Sequence, residues 1–179
     1  MSRRTALIAL FMLAAAQPGG ADPVPEPLVR LGFIYNIAKL TYWPDDAFSA
    51  PAAPLTLCLL GRHDSDANPL ASLADKIVQG RAVEVRREDR VSQLARCQLL
   101  FLDEEDEPRV AAVLPALRAL PVLTVGAFDG FAEAGGMVSL FREGEQMHLK
   151  FNNDAVLKAR LRINAQLLRM GEVVKGAEP

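Results

Sequence analysis

Apolar residues along this chain follow two periods, and the periods divide it into elements. Over residues 28–44, LVRLGFIYNIAKLTYWP, Leu28, Leu31, Tyr35, Ala38 and Tyr42 recur at spacings of three and four, which is one face of a helix. Phe33, Ile37 and Leu40 form a second apolar line beside them, and the strong charges are Arg30 and Lys39. The pattern predicts one helix over 28–44. Trp43-Pro44 closes it, because a residue ahead of proline is pushed out of the helical region. A surface helix needs a single apolar stripe. A helix apolar on two faces is either a central core helix or one with a core face and an interaction face.

Further on the apolar runs shorten. Residues 55–60 (LTLCLL), 98–102 (QLLFL) and 122–125 (VLTV) read as strands buried on both faces. Residues 83–87 alternate apolar and charged, as an edge strand with one wet face does. Between them lie a short helix at 68–74, with Asn68 as N-cap and Pro69 at the first position, and a single turn at 92–96. A helix is predicted from 108 to about 120, its acidic lead 103–107 complementing the helix dipole. Residues 137–142 and 147–151 flank Glu143-Gly144-Glu145, a hairpin turn. From 153 to about 174, Val156, Leu157, Leu161, Ile163, Leu167, Leu168 and Met170 form an apolar face opposite Lys158, Arg160, Arg162 and Arg169. That predicts one long closing helix. Strands alternating with helices, then a hairpin, predict a single three-layer α/β domain. Its mostly parallel sheet has five or six strands, with an antiparallel edge hairpin and helices on both faces.

The first residues change the compartment. Arg3 and Arg4 precede an apolar run from Thr5 to Ala16, which falls short of the roughly 20 residues a spanning helix needs. Small residues follow. Residues 1–21 read as a secretory signal peptide cleaved after Ala21 or Ala16. Residues 22–179 are left as one domain. Without Arg3 and Arg4 the basic count falls from 20 to 18 against 22 acids, a net charge of −4. That gives no basic footprint for nucleic acid. In an oxidising compartment Cys58 and Cys97 are a candidate disulfide; the alternative is two buried thiols.

No catalytic constellation emerges. The stretch Gly61-Arg62-His63-Asp64-Ser65 follows a strand, where α/β folds place ligands. It has one glycine, though, not a dinucleotide-binding fingerprint. Adjacent His63, Asp64 and Ser65 cannot reach the convergent geometry of a triad. His63 and His148 do not sit at metal-ligand spacing to either cysteine, and His148 reads as an outward polar residue. The acids at 103–107 read as a solvated cap. Lys158, Arg160 and Arg162 either pair with phosphate or carboxylate on a ligand or form a solvated face. Neither an enzyme nor a cofactor is expected. Two function classes survive: a regulatory module acting through protein contacts, and a periplasmic small-molecule binder or enzyme using loops at the strand ends.

The stretch Phe33-Ile-Tyr-Asn-Ile-Ala-Lys-Leu-Thr-Tyr-Trp-Pro44 resembles the F-x-Y-N-x-x-K-x-x-x-W-P opening of the YfiR family of periplasmic proteins. Leu57-Cys58-Leu-Leu-Gly61, Gly80, Cys97, the VLTV strand, Gly135-Gly-Met-Val138 and Leu161-Arg-Ile-Asn-Ala-Gln-Leu-Leu168 follow in that family's order. The resemblance spans about 28–170. It implies a compact α/β fold, a homodimer, and a periplasmic repressor of an inner-membrane diguanylate cyclase of the YfiN type. An outer-membrane lipoprotein of the YfiB type would sequester the repressor, raising cyclic di-GMP output and biofilm formation. The Cys58–Cys97 pair matches a disulfide of the family. A second pair found in some members is replaced here by Ala132 and Ser139. Lys150 stands where many relatives carry a carboxylate, and Arg162 matches an arginine that in relatives contacts small anionic ligands. Phe33, Tyr35, Ile37, Lys39, Tyr42 and Trp43 become the candidate partner or dimer surface, with Arg160 and Arg162 as candidate ligand residues.

Overall fold

A computed structural model describes residues 25–60 and 69–176. The expected signal peptide (1–21) and the loop carrying His63, Asp64 and Ser65 lie outside the described residues. In chain order the elements are α1 (Glu26–Lys39), β1 (Thr41–Tyr42), β2 (Leu55–Leu60), β3 (Ile77–Val78), β4 (Arg81–Glu88), β5 (Leu99–Leu102), α2 (Val110–Leu117) and β6 (Leu123–Gly126). There follow β7 (Val138–Glu143), β8 (Gln146–Phe151), α3 (Asn153–Lys158), β9 (Arg162–Ile163), α4 (Ala165–Leu168) and β10 (Glu172–Val173).

The main sheet runs β10-β8-β7-β6-β5-β2-β4-β3. Its centre, β4-β2-β5-β6-β7, is parallel throughout, and β7 and β8 form the expected antiparallel hairpin, turned at Gly144 (φ +61). Two-residue strands extend the edges, β10 parallel on β8 and β3 antiparallel on β4. Strands buried on both faces follow from helices on both sides. Alternate residues of β2 and β5 divide accordingly. Leu55, Leu57, Leu59, Leu99 and Phe101 pack with Ile34 and Ile37 of α1. Cys58, Leu60, Leu100 and Leu102 pack with Val110, Val113 and Leu117 of α2.

Three local devices fix this frame. Cys58 and Cys97 form a disulfide, with Cα atoms 5.9 Å apart, that joins the middle of β2 to the residue before the run opening β5. Both cysteines are buried. Gln98 donates to the Ala47 carbonyl and accepts from the Thr56 amide (2.7 and 2.8 Å), which ties the strand starts together. Phe131 is wedged between Gly126 and Gly136, where any Cβ would overlap its ring. Ser139 Oγ accepts the Ala132 amide at 2.8 Å, so these two positions are neighbours.

Two predicted helices end differently. α1 stops at Lys39, not at Trp43-Pro44, because Thr41 and Tyr42 pair antiparallel with Ile163 and Arg162. The closing segment is not one helix. α3 ends in a Schellman motif: Arg160 takes the left-handed conformation (φ +59), its amide bonds to Leu157 O, and the Leu161 amide bonds to Val156 O. Leu161 is thereby buried. The Asn164 amide reaches Leu40 O at 2.8 Å, and its side chain caps α4 by accepting from the Gln166 amide. Gly171 lies so close to the Leu149 carbonyl that no Cβ fits. Burial of selected side chains and strand pairing thus override a helical sequence period.

Candidate functional site

The residues singled out around α1 separate into core and surface. Ile37 is 0% exposed and leaves the candidate surface: it is a core residue, packed with Ile34 and Ala38 against the sheet. Phe33 is half-buried against the same cluster. The half-buried Trp43 donates its indole Nε1–H to the Gln98 carbonyl at 2.9 Å, so its ring is anchored to the opening of β5. Tyr35, Lys39 and Tyr42 remain at the surface. The Tyr35 hydroxyl donates to the Ile77 carbonyl (3.0 Å), and Lys39 Nζ lies 5.4 Å from the Tyr35 ring centre. Gln79, itself left-handed (φ +51), donates to the carbonyls of Lys39 and Thr41 and so holds the end of α1 against the turn between β3 and β4.

Tyr42 is 44% exposed. The β1–β9 pairing sets Arg162 directly opposite it, and Asn164 Nδ2 donates to its hydroxyl at 3.4 Å. The result is a continuous seam: Ile77, Tyr35, Lys39, Tyr42, then Arg162 of β9. Aromatic rings supply large contact area at little conformational cost, and the cations orient an acidic or aromatic partner group. Ile77 and Asn164 were not legible as members. Ile77 is a lone exposed isoleucine on a two-residue strand, and Asn164 sits inside what reads as helix.

The two candidate ligand arginines do not converge. Arg160 pairs with Asp46 at 2.7 Å, both groups more than half exposed, while Arg162 faces Tyr42. Lys150 bridges Asp129 (2.7 Å) and Glu133 (3.0 Å) beside the Phe141 ring. Its bonds to Asp129 and then Glu133 raise the ammonium pKa well above the usual lysine value. In return the Lys150 bond holds the Asp129 carboxyl below its usual range. His148 stacks on Phe141 (5.7 Å). Among the described residues no cluster of three or more His, Cys, Asp or Glu side chains is arranged to hold a metal ion, and no helix is long and apolar enough to cross a membrane.

Comparison with known proteins adds a family. Residues 28–172 match the model of the family described as YfiR/HmsC-like. No curated protein matches this sequence. Among solved structures, an ABC domain from Streptococcus pneumonia, determined in complex with L-Trp, superposes with a TM-score of 0.51 at 12% identity. The superposition covers 66% of this chain and only 55% of that one, and the likeness is one of fold alone.

Proposed function

The chain belongs to the YfiR/HmsC-like family, and from that premise we propose that it is a periplasmic regulatory protein that represses an inner-membrane diguanylate cyclase of the YfiN type. Membership supports a part in cyclic di-GMP signalling; the seam around Tyr42 is the observation that carries the reading to protein contact. It exposes Tyr42, Ile77, Lys39 and Arg162, with the half-buried Tyr35 among them. Repression acts by differential affinity: the regulator binds the inactive sensor conformation better than the active one. A coupling of about 1–3 kcal/mol is enough to throttle output. An outer-membrane lipoprotein of the YfiB type competes for the regulator, and self-association as a homodimer uses the same surface.

The test pairs binding with output. The purified periplasmic sensor region of an inner-membrane cyclase of the YfiN type is titrated with wild type and with Tyr42→Asp and Arg162→Glu. Cellular cyclic di-GMP is measured in the same strains. Both surface variants should fold normally, bind at least about tenfold more weakly, a loss of about 1.4 kcal/mol, and raise cyclic di-GMP. Wild-type binding and repression retained by both variants overturn this surface; unchanged cyclic di-GMP on deletion of the whole chain overturns the function.

A further inference from the structure

Away from the partner seam, a cavity of about 340 Å³ opens between the C-terminal end of α2 and the length of α3. That is the lower end of the range for small-molecule pockets. Its place follows from the topology. Thr124 is the second residue of β6, Met137 precedes β7, and Asn152 follows β8. β6 and β7 are parallel and β8 is antiparallel to β7, so all three residues come to one end of the sheet, where the parallel strands start. There they meet α2 as it ends and α3 as it begins.

Its walls define the chemistry. Leu114, Leu117, Met137 and Leu157 give an apolar body, and Leu157 is 55% exposed. The buried Thr124 also lines it. Its hydroxyl accepts the Met137 amide at 3.1 Å and keeps its own proton for a further acceptor. Arg118 and Lys158 line the cavity as exposed residues. Among the described residues neither is paired with a carboxylate. Asp154 is the one acid in the lining, and it too is unpaired, so two positive charges stand against one negative. A cation at a helix C-terminal end complements the helix dipole, but that role does not require two of them to share a cavity.

We propose that this cavity binds a small organic anion, a carboxylate or phosphate head on an apolar, ring-sized body. The head lies between Arg118 and Lys158, where the guanidinium fork matches the oxygens of either head and the ammonium adds a point charge. The body lies on Leu114, Met137 and Leu157. The site uses α2, α3 and the strand starts, whereas the partner seam uses α1, β1 and β9. No residue is common to both, so the two proposals stand or fall separately.

Titration of the isotope-labelled chain at low salt, followed by amide chemical shifts, tests it with phenylacetate, phenyl phosphate and phenethylamine, the last carrying the opposite charge. At least one of the two anions should shift the amides of Arg118, Ala119, Ala155 and Lys158 saturably, and the tighter of the two names the head group. Its binding should weaken with added salt, fall roughly two- to fivefold in Lys158→Gln, as fits an exposed charge pair, and vanish when Arg118→Glu and Lys158→Glu are combined. Both positions are exposed, so the fold should survive, and the same spectrum reports it. The amine should not bind. No saturable shift with either anion, equal binding of the amine, shifts gathered around Arg162 instead, or undiminished binding to Lys158→Gln and to the combined variant each overturns the proposal.

Discussion

α1 and the segment 153–174 carry apolar residues at the same helical spacing, yet one is a 14-residue helix and the other is split into α3, β9, α4 and β10. The difference lies in what meets each. α1 has a proline in its first turn, Glu26 at its start and Lys39 in its last turn, all of which favour a helix locally. Its buried stripe of Ile34, Ile37 and Ala38 packs on one face of the sheet. The closing segment instead meets the sheet at its edge and α1 at its end. Leu161 must turn inward, Arg162-Ile163 find a strand partner, and Gly171 must pass against the Leu149 carbonyl. A helical period states which residues seek burial. It does not state that the backbone continues between them.

The largest expected effect tests the frame against which both regions pack. Replacing both cysteines, Cys58→Ala with Cys97→Ala, opens a loop of 39 residues and should cost about 4 kcal/mol in the chain-entropy model, read as a lowered urea midpoint. Hydrogen exchange in the same variant sharpens the comparison. Regions with few buried contacts open at lower free energy than core elements, so amides of 162–174, mostly exposed or half-buried, should lose protection before those of α1. Simultaneous loss would make the two regions one cooperative unit.

Gly171→Ala separates the two kinds of region by sign. In a continuous helix this change would stabilise by up to about 1 kcal/mol. Against the Leu149 carbonyl oxygen a Cβ has no room, and the loss should be about 2–3 kcal/mol, the range of overpacking. A thermal melt gives the answer, and a raised midpoint would restore the long helix. Arg160→Gly reverses the argument at smaller scale. A mid-helix glycine would cost about 1 kcal/mol. At φ +59 in a Schellman turn it should instead gain several tenths of a kcal/mol, less the small contribution of the exposed Asp46 pair.

These sites show how far sequence reaches. The runs at 55–60, 98–102 and 122–125 were legible as strands because no charged residue interrupts a length that suits a strand better than a helix. The hairpin was legible because Gly144 supplies the turn. The disulfide was legible once export made an even cysteine pair meaningful. The closing segment was not, because the deciding contacts are with Leu40, Thr41 and Leu149, all distant in sequence. The candidate surface failed at Ile37 for a related reason. Two apolar lines on α1 identify two candidate faces, and only the packed sheet says which line is inside.

The smallest effect lies on β8, the strand that receives β10 with Lys150 opposite Glu172. Lys150→Met keeps the chain length and the contact with Phe141 while removing the bonds to Asp129 and Glu133. Asp129 is 59% exposed at its side chain, so solvent screening keeps its part small. The signs are fixed by the shifts. Asp129 is held below its usual value, so its contribution is present above about pH 4 and fades as pH falls through the lowered folded value. Lys150 is raised, so its contribution is present below about pH 10.4 and fades as pH rises through the raised folded value. The melting difference between wild type and Lys150→Met should therefore be flat from about pH 5 to 9 and shrink at both extremes. A difference as large at pH 2 as at pH 7 would mean that the lysine acts through packing alone.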